Sequence, residues 1–200
     1  MRLIKLILIS VLIFGVCAGI YINLPTSVQH EVSDSFGRLT APNLNISLKQ
    51  LSAKRKSDII NEYRRLGFEL KCFERLKPVD KLSKYNDSLC WALINSAFDD
   101  IPARQVAFFF YKEKLVQVRI EFPSSSFLKV KSHLHKSLDD SSRLDTLPGQ
   151  DFGVDKSGNP LIVWKGKGGL IVTSGEEPQD RNLIILWTAK RIFFLERLGR

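Results

Sequence analysis

Cys72 and Cys90 are the two residues best placed to do covalent chemistry. A bond between them closes a loop of ordinary length and contributes about 3 kcal/mol on the chain-entropy model. It forms only where thiols oxidise, outside the cytoplasm. The alternative is a pair of buried free thiols. Metal ligation by either cysteine is disfavoured, because no CxxC occurs and no histidine lies nearby in sequence. Cys17, the third cysteine, falls in an apolar amino-terminal run and leaves an even pair behind it. A lipid-modified Cys17 is disfavoured, because Phe14-Gly15-Val16 is not the small-residue stretch such a site follows.

Charge is the second resource. Net charge is +9 from 30 Lys+Arg and 21 Asp+Glu. Residues 49–84 hold 11 basic against 5 acidic side chains, or +6, whereas 24–48 and 85–160 are each −1 and 161–200 is +3. Lys54, Arg55, Lys56, Arg64, Arg65, Arg75, Lys77, Lys81 and Lys84 form this basic region. They make a candidate surface for an anionic partner: phospholipid head groups, lipopolysaccharide or an acidic protein face. A merely solubilising face is the equal alternative. Nucleic acid is not expected as a partner of an exported domain.

Signatures of catalysis fail at their required positions. Gly166-Lys167-Gly168 lacks the Ser/Thr and the upstream glycine of a phosphate loop. Asp155-Lys156-Ser157-Gly158-Asn159 opens like a calcium loop, but the twelfth position is Gly166 where a bidentate Glu is required. Asp99-Asp100 and Asp139-Asp140 read as turn and cap residues. His133 and His135 stand two apart on an expected helix and so diverge, with His133 at the edge of its packed face, and His30 lies in a linker. No catalytic residue, metal or cofactor is assigned, and the expectation is a non-enzyme.

The elements that carry these residues begin with the amino terminus. Arg2 and Lys5 precede an uncharged, proline-free run from Leu6 to Ile22. With Leu3, Ile4 and Leu24 this is just long enough to span a bilayer. The basic end then stays in the cytoplasm. Residues 1–23 are therefore read as a signal anchor. A signal peptide cleaved after Ala18 is the competing reading. Residues 24–48, with Pro25, Gly37 and Pro42 among Ser, Thr and Asn, read as a flexible tether. Residues 49–200 are one exported domain of normal size.

Within that domain, Ile59, Ile60, Tyr63 and Leu66 share a helical face over Leu51–Leu66, and Gly67 supplies the stop. Phe68–Phe73 reads as extended, and Leu89–Ile94 as a buried strand or short helix. Val106–Tyr111 and Leu115–Phe122 flank Lys112-Glu113-Lys114 and alternate with period two, the pattern of an antiparallel hairpin. In the second arm Leu115, Gln117, Arg119 and Glu121 share one parity. Phe127, Val130, Leu134 and Leu138 line a helix that Ser124–Ser126 can cap. Leu161–Trp164 with Leu170–Thr173 is a second hairpin, Asn182–Trp187 a further strand, and Ile192–Leu198 either strand or helix. The class is α+β: an antiparallel sheet of five or six strands with two packed helices, preceded by a transmembrane helix. In the run Phe108–Tyr111 one alternating pair must face away from the main core. Phe109 and Tyr111 are thus candidate protein contacts.

Leu66-Gly67 ending a helix, followed by the hairpin Phe108-Phe109-Phe110-Tyr111 and Leu115-Val116-Gln117-Val118, resembles small bacterial envelope domains of the β-lactamase-inhibitor-protein and outer-membrane-assembly-lipoprotein type. That resemblance implies a non-catalytic, protein-binding role in the envelope. The combined expectation is an accessory or assembly subunit anchored in a bacterial inner membrane through residues 3–23, with its carboxyl-terminal domain in the periplasm and a protein partner there. A secreted inhibitor or effector-like binder, and a hydrolase using the acidic loops, are the alternatives.

Overall fold

The computed structural model describes residues 37–98, 100–138, 142–144, 153–154, 158–178 and 182–192, together with Ser10. The chain divides into two compact units, Met1–Thr40 and Ala41–Arg200. The expected anchor lies outside the described residues except for Ser10, as does most of the tether. Among the described residues no helix is long and apolar enough to cross a membrane.

The second unit is α+β, with a sheet of seven antiparallel strands, one or two more than expected. In chain order they are β1 (Lys71–Phe73), β2 (Ser88–Leu93), β5 (Gln105–Tyr111), β6 (Lys114–Pro123), β7 (Leu161–Lys165), β8 (Gly169–Ser174) and β9 (Asn182–Ala189). Their spatial order is β1-β2-β5-β6-β9-β8-β7. Two short strands, β3 (Ser96–Ala97) and β4 (Ile101–Pro102), pair separately. Among the described residues two α-helices of ten or more residues accompany the sheet: α1 (Lys56–Arg65) and α2 (Phe127–Ser137).

Residues 41–48, placed in the tether by composition, belong to this unit. Leu44, Ile46 and Leu48 are buried in its main core. Each is flanked by a polar neighbour, so the stretch has the alternation of a packed segment but too few apolar residues for composition to reveal it.

Helix α1 starts five residues later than its periodicity predicts. Competition from the hairpin explains this. The Lys54 carbonyl accepts from the Leu115 amide at 2.8 Å, and the Lys56 amide donates to the Glu113 carbonyl at 2.9 Å. Residues 51–55 are thereby held out of the helix. Ile59 and Tyr63 face the core, whereas Leu66 lies past the last turn, 58% exposed. Burial, with the Glu62 carboxylate adding to it, pushes the Tyr63 phenol far above the usual tyrosine range.

The β5–β6 turn is tight. Lys112 and Glu113 both have positive φ (48° and 59°), as a two-residue type I′ turn demands. A register shift at Phe109/Phe110 pairs Phe110 with Leu115 but Phe109 with Gln117. Val116 is the extra residue, and the bulge overturns the simple parity of this arm. Leu115 joins Val118, Ile120 and Phe122 in the main core, while Val116 turns to the opposite face.

Helix α2 buries Phe127, Val130 and Leu134 on the sheet, with Leu138 just beyond its end, as its spacing predicts. Ser124–Ser126 form a 3-10 turn and no side-chain cap; the Ser126 hydroxyl instead donates to the Pro102 carbonyl at 3.0 Å. Residues 190–192 are helical, and 193–198 lie outside the described residues.

Candidate binding cleft beside the disulfide loop

Cys72 on β1 lies directly opposite Cys90 on β2, with Cα atoms 4.0 Å apart, and the two form a disulfide. The cross-link closes residues 73–89 into a loop. Its far end is pinned to the main hairpin: the Asp87 amide donates to the Phe110 carbonyl at 3.0 Å, and the Lys112 amide donates to Asp87 Oδ2 at 2.7 Å. Within the loop the Ser83 amide donates to Asn86 Oδ1 at 2.8 Å.

This loop folds over the face of the sheet that points away from α1 and α2. There Ala107, Phe109, Val116 and Ile192 form a second buried cluster, with Leu76 and Tyr85 of the loop packed against it. The expectation that Phe109 is an exposed contact is therefore corrected: it is 3% exposed. Both faces of β5 are covered, which is why its aromatic run is continuous. Tyr111 is half-buried, edge-on to Tyr85 with ring centres 5.8 Å apart.

Where the loop does not reach, a cleft of about 450 Å³ remains. Leu89, Trp91, Ala107 and Phe109 of β2 and β5 lie on its sheet side, with Arg119 of β6. Phe73, Leu76, Val79 and Leu82 come from the loop side. Gln105 of β5 and Arg119 are the polar side chains of the sheet side, and Asp80 and Lys81 those of the loop side. Arg119 Nη2 donates to Glu121 Oε1 at 2.6 Å, and the buried Arg119 Nε has no acceptor among the described residues. The Lys71 ammonium stands 5.2 Å from the Trp91 ring centre, a cation–π distance. The cleft can therefore hold an apolar group beside a cation, the usual make-up of a binding pocket.

The basic residues singled out by sequence divide into separate groups. Lys77, Lys81 and Lys84 lie on the disulfide loop, Lys81 lining the cleft. Arg75 is exposed on the same loop. Arg64 and Arg65 occupy the last turn of α1, where cations complement the helix dipole. Arg55 precedes α1, and its backbone forms an isolated antiparallel β-bridge with that of Lys114. Lys54 pairs with Glu62 at 2.7 Å. Lys56 must be withdrawn from any anion-binding surface. It is 4% exposed, and its ammonium donates to Glu74 and to Ser88 Oγ. An ammonium cannot be buried alone, so it recruits the Glu74 carboxylate and removes that negative charge from the loop.

The Gly-Lys-Gly-Gly turn is explained by crowding of backbones. A Cβ on Gly168 would lie 2.3 Å from the Leu51 carbonyl oxygen, and one on Gly169 2.2 Å from that of Thr188. Its amides are occupied as well: Gly166 donates to Gly169 and Lys167 to Lys49. His133 stacks on Phe98 with ring centres 4.7 Å apart, and His135 is edge-on to Trp164. Asp100 accepts from Asn43 Nδ2 at 3.2 Å, while Asp99, Asp139, Asp140, Asp151 and Asp155 lie outside the described residues. Among the described residues no three His, Cys, Asp or Glu side chains cluster to hold a metal.

Trp91, Leu89 and Arg119 were not identified from sequence. Leu89–Ile94 is apolar at every position, so alternation cannot assign its faces. The isolated Val79 and Leu82 in Lys-Pro-Val-Asp-Lys-Leu-Ser-Lys were the legible signal.

Comparison with family models, with curated proteins and with solved structures finds no match to this chain.

Proposed function

We propose that this chain is a non-catalytic binding domain, tethered through residues 1–23 to a bacterial inner membrane and displayed in the periplasm. There it serves as an accessory or assembly subunit of an envelope complex. The observation that carries the reading is the apolar cleft between the disulfide loop and β2/β5. Buried Ala107 and Phe109 lie at its base, partly open Leu76, Leu89 and Trp91 stand around them, and a covalent cross-link holds the loop in shape. The cleft takes an apolar segment of a protein partner. The disulfide supports an oxidising location, and the uncharged run Leu6–Ile22 supports the anchor. The resemblance of the Leu66-Gly67 and hairpin pattern to envelope binding domains points the same way.

Site-specific photo-crosslinking in intact membranes tests this. A photoreactive residue at Leu89, inside the cleft, yields a discrete adduct that Trp91→Asp abolishes. The same residue at Leu128, exposed on α2, yields none. Equal labelling from both positions, or an adduct indifferent to Trp91→Asp, refutes the cleft as the binding site.

A further inference from the structure

Three of the large apolar side chains that the described residues leave in water come from a single segment, 73–82. Phe73 is 51% exposed, Val79 85% and Leu82 39%. Val79 stands in the 3-10 turn Pro78–Asp80, between Lys77 and Lys81, and Lys84 follows Leu82. Residues 71–84 carry Lys71, Arg75, Lys77, Lys81 and Lys84 against Glu74 and Asp80. Glu74 is already neutralised by buried Lys56. The segment thus presents apolar tips within a basic ring.

We infer that this loop docks the domain on an anionic lipid surface, with Val79 and Leu82 entering the interface and Lys77, Lys81 and Lys84 meeting the head groups. Charge complementarity selects the occupant. A side chain as protruding as Val79 needs no matching hollow in a bilayer, whereas a folded protein partner must supply one. Basic residues around apolar tips are the composition of interfacial membrane contacts. The loop is also prepaid in order. The Cys72–Cys90 bond and the Asp87 and Asn86 hydrogen bonds fix its ends, so little conformational freedom is lost on docking. Val79, Lys81 and Leu82 also line the cleft, so lipid docking and occupation by a protein segment compete for them, and the probe at 79 in protein-free vesicles and the cross-link at Leu89 tell the two apart.

The test uses the full chain with an environment-sensitive fluorescent amino acid at position 79, mixed with or reconstituted into protein-free vesicles. In phosphatidylcholine containing phosphatidylglycerol the probe shifts to the blue and is shielded from an aqueous quencher. In phosphatidylcholine alone it stays water-like. Each lysine near an anionic surface contributes about fivefold, so Lys77→Gln/Lys81→Gln/Lys84→Gln lowers the docked-to-undocked ratio by roughly 100-fold. High salt weakens docking in the unmodified chain. A closed disulfide in the triple variant shows that it folds. A probe at Leu128 stays in water throughout. Three results overturn the inference: a water-like probe at 79 in anionic vesicles, an equal shift in neutral ones, or shielding only in native membranes, which assigns the loop to a protein.

Discussion

Opening the disulfide should have an effect large enough to separate its role from that of packing. Cys72 and Cys90 are 18 positions apart, and closing a loop of that length contributes about 3 kcal/mol by restricting the unfolded chain. Little else holds β1. It makes three pairings, and Lys71, Cys72 and Phe73 are all exposed. Reduction, unlike substitution, leaves the fully buried Cys90 side chain in place and adds no cavity. Urea unfolding in mild detergent, followed by the fluorescence of buried Trp164 and Trp187, is the assay. With a slope of about 2 kcal/mol per molar, the midpoint of the reduced protein falls by roughly 1.5 M. Hydrogen exchange should rise at the Asp87 and Lys112 amides, which close the loop's far end. Coincident midpoints, within about 0.3 M, for protein verified as oxidised and as reduced would refute the reasoning. They would mean that the packing of Leu76 and Tyr85, with the Asp87 and Asn86 hydrogen bonds, holds the loop without the cross-link.

Glu74→Gln removes the carboxylate charge that compensates the buried Lys56 ammonium and destabilises by about 1–3 kcal/mol, whereas Lys56→Met/Glu74→Gln recovers most of that loss in a double-mutant cycle. Phe109→Ala costs about 3 kcal/mol in urea unfolding; a loss below about 0.5 kcal/mol would restore the reading of an exposed contact. Gly169→Ala forces a methyl onto the Thr188 carbonyl and costs about 1–3 kcal/mol, read as a lowered melting temperature. Tyr63 ionises above its ordinary value of about 10 when folded, so its contribution is complete below that pH and is lost as pH rises beyond it. Tyr63→Phe should therefore flatten the alkaline fall in stability, and an unchanged pH profile would contradict the assignment.

Local periodicity located most of the elements. The β5–β6 and β7–β8 hairpins, α2 with its three buried apolar positions and Leu138 just beyond, and the cysteine pairing were all legible in the spacing. Failures arose where a distant segment overrode the local pattern. The start of α1 is set by hydrogen bonds to a hairpin turn some 60 residues later. The bulge at Val116 reverses Leu115. Phe109 is buried because a loop from elsewhere lies over it. Lys56 looked like one basic residue in a run and became the buried partner of Glu74. A list of charges cannot show which side of a helix start is covered, and a continuous apolar run such as Leu89–Ile94 cannot show which face lines a cleft.

The last strand among the described residues, β9, lies in the interior of the sheet, between β6 and β8. Until it arrives, the nascent polypeptide holds two separate pieces, β1-β2-β5-β6 and β7-β8, each with an open edge. Gly169 of β8 then meets the Thr188 carbonyl of β9 where backbones touch without room for a methyl group. Closure thus waits for residues 182–189. A ribosome stalled before residue 182 presents unzipped edges to chaperones and to neighbouring copies, and a carboxyl-terminal truncation is far more damaging than a domain of this size would otherwise imply.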